Sequence, residues 1–207
     1  MKKFLFMLSA AILFDSVMPA MAQQKKSTIR KTTASLKTNN AAVKTFVMGN
    51  GKLGPLYIGQ SVSTLPKSIP ELYDNFTYYK GTERVYDMGD DEGEEVLVER
   101  VTFKKNGKEI ITSSCTDEKI TSFYVDNGAS FIKTIEGYHI GSNVREFYRK
   151  HPKLQWETYF EGEVFASSKG YTYNVNSDDV INKDIPNRVE DFKPSAKIVS
   201  IYYGKQD

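Results

Sequence analysis

The stretch Ile140-Gly141-Ser142-Asn143-Val144-Arg145-Glu146-Phe147-Tyr148 is the clearest structural signal in the chain. An Ile-Gly pair closes an extended run, and apolar residues then recur at helical spacing. This order predicts a strand that turns into a helix, in which Asn143 caps the first turn and Glu146 reaches back to it. We expect the helix to end at His151, because the residue before Pro152 disfavours helical backbone angles.

A weaker copy of this stretch, Ile58-Gly59-Gln60-Ser61-Val62-Ser63-Thr64-Leu65, occurs earlier in the chain. Because two further matches keep the same order, we predict an α+β fold of two similar units, each a short helix region packed on an antiparallel β-meander. In the first unit, Pro66 is expected to limit the helix. The further matches relate Val101-Thr102-Phe103 to Tyr171-Thr172-Tyr173, and Lys119-Ile120-x-Ser122 to Lys197-Ile198-x-Ser200.

The predicted organisation has four parts: a signal peptide at 1–22, a disordered basic linker at 23–45, a first repeat at 46–128 and a second repeat at 129–207. The first part combines lysines, an apolar run over 4–14 and an Ala-Met-Ala cleavage pattern. The apolar run is far shorter than the roughly 20 residues of a membrane-spanning helix. We therefore expect an exported protein, periplasmic or secreted, whose mature chain starts at Gln23.

Charge is divided unevenly along the chain. Residues 23–44 carry six Lys and Arg and no acid, although the whole protein has a net charge of only +2. With the +1 of residues 1–22 also removed, 45–207 must carry −5. The linker contains so few apolar residues that we predict a disordered tail. This tail either contacts an anionic envelope surface or serves as a solvated spacer. The acidic remainder and the lack of a base-reading motif argue against nucleic acid as a partner.

Metal and catalytic residues are sparse. The acidic stretch 87–95 offers oxygen ligands but lacks the register of a calcium loop, so it is either a solvated turn or a divalent-cation site. His139 and His151 have no second ligand at zinc spacing, and the single cysteine, Cys115, is expected to be a half-buried, inert thiol. Since no nucleophile motif or phosphate loop occurs either, we expect no cofactor and no enzymatic activity.

Aromatic residues are concentrated on the predicted strands of the second repeat. Alternation along a strand sends half of them to the core and half to the other face of the sheet. An exposed aromatic sheet face would suit a binding partner, because Tyr and Trp combine a large contact area with a polar group. The candidate partner-binding residues are Trp156, Tyr159, Tyr171, Tyr173 and Tyr202.

The layout resembles the tandem-repeat β-lactamase inhibitor protein family and the related outer-membrane assembly lipoproteins of the SmpA/OmlA type. The likeness rests on the stretch from Ile140 to Phe147 with Pro152, and on the weaker copy from Ile58 to Val62. It implies a non-enzymatic binding module. The chain departs from that pattern in having no lipid-attachment cysteine and no disulfide pair.

These observations favour an exported envelope protein that binds a protein or peptide partner. The alternative is a carbohydrate-binding module or hydrolase that acts on envelope polysaccharide, since paired carboxylates could lie close together in the fold. The sequence does not indicate the oligomeric state.

Overall fold

The computed structural model describes residues 44–85, 93–126, 128–158, 164–182 and 186–204. The predicted signal peptide, nearly all of the basic linker and most of the acidic stretch lie outside these residues. Val43–Asp207 forms one compact unit. The boundary proposed between residues 128 and 129 stays a prediction.

The described residues form 13 β-strands and one α-helix. The helix, α1, spans Val144–Lys150. The strands are β1 (Phe46–Gly49), β2 (Lys52–Leu53), β3 (Leu56–Tyr57), β4 (Asn75–Val85), β5 (Glu94–Lys105), β6 (Lys108–Thr116), β7 (Lys119–Ile120), β8 (Ser122–Val125), β9 (Ile132–Thr134), β10 (Trp156–Thr158), β11 (Val164–Ser168), β12 (Tyr171–Val175) and β13 (Ile198–Gly204).

The predicted fold class, α+β with two similar helix-and-meander units, is wrong. The protein is mostly β and has two sheets. Where the first helix was expected, the chain makes one 3-10 turn at Val62–Thr64, because Pro66 and Pro70 block continuation and no side chain caps the turn. The second helix does form. The Asn143 side chain caps it by accepting a hydrogen bond from the backbone N–H of Glu146 at 3.1 Å.

The strands divide into a small and a large sheet. The small sheet has the order β3-β2-β1-β9, with β1 and β9 parallel. The large sheet has the order β10-β11-β12-β13-β8-β6-β5-β4, and β7 pairs with β6 beside this path. Two antiparallel meanders, β4 to β8 and β10 to β13, therefore meet where β8 pairs with β13.

The two Ile-Gly stretches make the same backbone hydrogen bonds. The N–H of Gly59 donates to Ile120 O at 2.7 Å, and that of Gly141 donates to Ile198 O at 2.8 Å. Each glycine has a positive φ, +89° and +92°. The match between Val101-Thr102-Phe103 and Tyr171-Thr172-Tyr173 fails, because β5 is second from one edge of the large sheet and β12 is third from the other.

One face of the large sheet carries the core. A continuous rung of cross-strand neighbours runs across all eight strands of its path, and every member is apolar or aromatic; we call it the apolar rung. Its members, in strand order from β4 to β10, are Phe76, Phe103, Ile111, Val125, Ile201, Tyr173, Ala166 and Trp156.

The small sheet and α1 cover this inner face. Phe147 of α1 packs its ring 4.7 Å from that of Tyr173. Two hydrogen bonds join the sheets: the Tyr171 hydroxyl donates to Met48 O at 2.6 Å, and the Gly51 N–H donates to the Tyr203 hydroxyl at 2.7 Å. These contacts bury the inner face. The opposite face is the candidate surface, although two of its residues, Thr172 and Val98, are also buried, at 4% and 1% exposed.

Candidate binding surface

The outer face of the large sheet has a rung of its own, directly beside the apolar rung. Seven consecutive strands contribute a cross-strand neighbour to it, and every side chain ends in a hydroxyl; we call it the hydroxyl rung. From β4 to β11 its members are Thr77, Thr102, Thr112, Tyr124, Tyr202, Thr172 and Ser167.

Alternation along each strand explains the two rungs. Successive side chains point to opposite faces, so in-register pairing places all apolar members on one side and all hydroxyl members on the other. Ser167 Oγ and Thr172 Oγ1 lie 3.0 Å apart, so part of the rung is joined by hydrogen bonds. An antiparallel sheet of this kind has one face on the core and one polar face.

Tyr79 and Arg100 extend the outer face beside the hydroxyl rung. The Arg100 guanidinium lies 4.7 Å from the centroid of the Tyr79 ring, and two of its nitrogens contact the Glu83 carboxylate at 3.0 and 3.2 Å. Tyr79 is 40% exposed. Tyr and Arg are enriched where proteins bind one another, which makes this corner the most favourable part of the surface for a partner.

The predicted partner-binding residues are divided between the two faces. Trp156, Tyr171 and Tyr173 lie on the inner face, with exposed fractions of 3%, 4% and 1%, so they are core residues. Tyr202 lies on the hydroxyl rung, and Tyr159 is outside the described residues.

The sequence analysis missed Tyr79, Arg100 and Tyr124. A signal existed for Tyr124, because the offset that relates Ile120 to Ile198 also relates Tyr124 to Tyr202. No comparable signal exists for Tyr79 and Arg100, whose strand pairing determines that they are neighbours.

A buried carboxylate lies at the end of the inner face. Glu99 is 6% exposed. Its carboxylate accepts three hydrogen bonds: from Lys80 Nζ at 2.8 Å, from the Glu118 N–H at 2.8 Å and from the Tyr78 hydroxyl at 3.1 Å. The bond from Lys80, followed by that from the Glu118 N–H, lowers the pKa of Glu99. The same bond raises the pKa of Lys80. Glu99 is thus held ionised and fully bonded, as in a structural ion pair.

Cys115 is buried near this carboxylate. Burial, followed by the charge of Glu99, raises the pKa of the thiol to about 11. A thiol with so high a pKa is almost entirely protonated at neutral pH and is a poor nucleophile. The thiol is therefore buried, at 8% exposed, where the sequence predicted it half-buried, and its inertness stays a prediction.

A second polar cluster surrounds His151 at the end of α1. His151 Nε2 lies 3.1 Å from the Tyr138 hydroxyl and 3.4 Å from Glu136 Oε2, and Lys169 also contacts Glu136. The adjoining depression, about 380 Å³ in volume, is lined by Lys150, His151, Pro152, Lys153 and Leu154. Its lining contains no carboxylate, so it lacks the paired acids that a glycoside hydrolase needs.

Metal and membrane features can be assessed for the described part of the chain. Those residues contain no group of three His, Cys, Asp or Glu side chains placed to hold a metal ion. Residues 87–92 of the acidic stretch lie outside it, so cation binding there stays a hypothesis. None of the helices described is both long and apolar enough to cross a bilayer.

Comparison with known proteins adds little to this geometry. No protein-family model matches the chain, and no curated protein matches it. The crystal structure of the uncharacterized protein yfeY from Escherichia coli aligns with 72% of this chain and 95% of its own, at 13% sequence identity and a TM-score of 0.45. We base no inference on a likeness at this level.

Proposed function

We propose that this chain is an exported, non-enzymatic binding module whose outer sheet face takes a protein or peptide partner. One observation carries the proposal: the helix and the small sheet both pack on the inner face, whereas the outer face carries the hydroxyl rung, which is buried at Thr172 (4% exposed) and ends beside the exposed Tyr79 and its neighbour Arg100.

The chemistry of this face suits a protein partner. Tyrosine supplies contact area at a low entropic cost, and Thr and Ser hydroxyls can donate and accept hydrogen bonds with a partner's backbone. The predicted signal peptide and the resemblance to a family of exported binding modules point in the same direction.

Affinity capture from an envelope extract, with cross-linking and mass spectrometry, tests the proposal. The bait is compared with Tyr79→Ala, which alters the outer face, and with Tyr57→Ala on the small sheet as a matched control. The two tyrosines are similarly exposed, 40% and 46%. We expect one protein partner that Tyr57→Ala captures as well as the wild type does. Tyr79→Ala should bind that partner about thirty-fold more weakly, because truncating an aromatic hot spot costs about 2 kcal/mol of binding free energy.

Equal capture by both variants would contradict a site on the outer face. Recovery of polysaccharide without protein would favour the alternative, a carbohydrate-binding module. One observation supports that alternative: tyrosine rings beside a row of hydroxyls could stack on a sugar and bond to it. Binding of purified envelope polysaccharide, lost in Tyr202→Ala, would establish it.

A further inference from the structure

The β4–β5 hairpin continues past the rest of the large sheet. β5 pairs with β4 from Glu94 to Lys104, but with β6 only from Arg100 onward. Residues 80–85 and 94–99 therefore form a two-stranded ribbon of six cross-strand pairs, from Lys80↔Glu99 to Val85↔Glu94. Two-stranded ribbons are marginally stable alone in water, so a third strand would stabilise this one.

The two edges of this ribbon differ in their protection. On the β4 edge, Lys80 points to the inner face and is paired with Glu99. An inward-pointing charge on an edge strand is a common device against unwanted strand pairing. On the β5 edge, residues 94–97 contain no lysine and no proline, and the structure pairs no described strand with them on that side. The open edge ends there, because the next residue, Val98, is only 1% exposed.

The side chains along this edge indicate which segment it accepts. Leu97 is 65% exposed. The side chain of Glu95, two residues earlier on the same face, is 68% exposed and lies 3.5 Å from the Arg84 guanidinium on the β4 side, which leaves its other side open to a second cation. A neighbouring strand would place one side chain opposite each of them. An apolar residue opposite Leu97 and a cation opposite Glu95 would complement both.

We propose that the β5 edge at residues 94–97 binds an extended segment of another protein by strand addition, with a cationic and an apolar side chain alternating on one face of that segment. Every second residue of the edge offers its N–H and C=O outward, so the main chain provides the bonds. The side chains of Glu95 and Leu97 determine which side chains of the added segment are favoured opposite them. This proposal concerns the strand edge and does not depend on the function proposed for the outer face.

The test uses an acetylated and amidated peptide of sequence Thr-Lys-Thr-Leu-Thr-Lys-Thr. Its pattern is the same in both directions, so parallel and antiparallel addition are both allowed. Titration into the isotope-labelled protein is followed by amide NMR. We expect shifts confined to 94–97 and the adjoining part of β4.

Two controls separate strand addition from surface adhesion. A peptide N-methylated at alternate residues along its bonding edge loses donors without losing side chains. We expect it to bind at least about five-fold more weakly, since the loss of even one net hydrogen bond of about 1 kcal/mol has that effect. Leu97→Lys should weaken binding of the parent peptide, whereas Ile181→Lys, at a site 62% exposed, should not.

Three results would overturn the proposal. These are an absence of shifts at millimolar peptide, equal binding of the N-methylated peptide, or shifts on the hydroxyl rung and not at 94–97. Concentration-dependent self-association that Leu97→Lys abolishes would also overturn it, because the edge would then belong to a second copy of this chain.

Discussion

Tyr124 and Tyr202 lie directly opposite each other where β8 pairs with β13. They are also related by the same sequence offset as Ile120 and Ile198. Tyr124 of the first meander therefore pairs with the residue that holds the corresponding position in the second meander, Tyr202. The centre of the hydroxyl rung is therefore locally two-fold, and a partner that contacts it meets nearly the same chemistry on either side.

The two glycines of the Ile-Gly stretches should be equally sensitive to substitution. No atom lies within 4 Å of where a Cβ would stand at Gly59 or Gly141, so Ala adds no clash there. The positive φ alone should lower the free energy of unfolding by about 1 to 2 kcal/mol in each Ala variant. Urea unfolding measures this loss. Asn variants should lose less, because Asn tolerates positive φ, and an Ala variant as stable as the wild type would contradict the argument.

Removing the hydroxyls that join the two sheets should destabilise the protein. Tyr171→Phe deletes the hydrogen bond to Met48 O, and Tyr203→Phe deletes the hydrogen bond from the Gly51 N–H. Each variant should lower the free energy of unfolding, measured by heat or urea, by about 1 kcal/mol. Tyr202→Phe is the matched control on the outer face, with an expected change within about 0.5 kcal/mol. A loss of the same size in all three variants would show that the bonds between the sheets are not responsible.

Stability should fall in acid partly through Glu99. Its pKa is lower in the folded protein than its ordinary value of 4.5, so its contribution is present above that value and is lost as the pH falls through the folded pKa. The unfolding midpoint of the wild type should therefore drop more steeply below pH 4.5 than that of Glu99→Gln. Parallel pH profiles would show that the Lys80 and Glu118 contacts do not favour the ionised form.

Cys115 should react slowly with thiol reagents at mildly alkaline pH. Its pKa of about 11 leaves little thiolate, and the side chain is 8% exposed. Labelling should accelerate greatly in urea, where burial is lost. Leu97→Cys in a Cys115→Ala background provides an exposed thiol for comparison, and equal rates for the two native proteins would contradict the buried environment.

Local signals predicted local structure well. The sequence also contains an Asn-Gly pair, Asn106-Gly107, of the kind that favours a two-residue hairpin. Both residues have positive φ in the structure, and they join β5 to β6. Asn143 caps α1 as its spacing with Glu146 predicted. In both cases the interacting groups are close neighbours in the chain, so the pattern is visible in a short window.

The faces of the strands could not be predicted in the same way. Tyr171, Tyr173 and Tyr202 are all aromatic strand residues, and only the register with β8 and the position of α1 decide which point to the core. Likewise, β4 shows no unbroken apolar alternation in the sequence, because its inward-pointing Lys80 is compensated by Glu99, which lies on the following strand. Such long-range compensation leaves no periodic trace in the sequence.

The parallel pairing of β1 with β9 bears on how the chain is made. During synthesis the meander from β4 to β8 can pair as each strand emerges, since its neighbours are close in sequence. Phe46 must wait for Ile132, which is made only after that whole meander, before β1 gains its second neighbour. Until then β1, whose Phe46 and Met48 are buried in the finished fold, has an open edge that is available for wrong strand pairing.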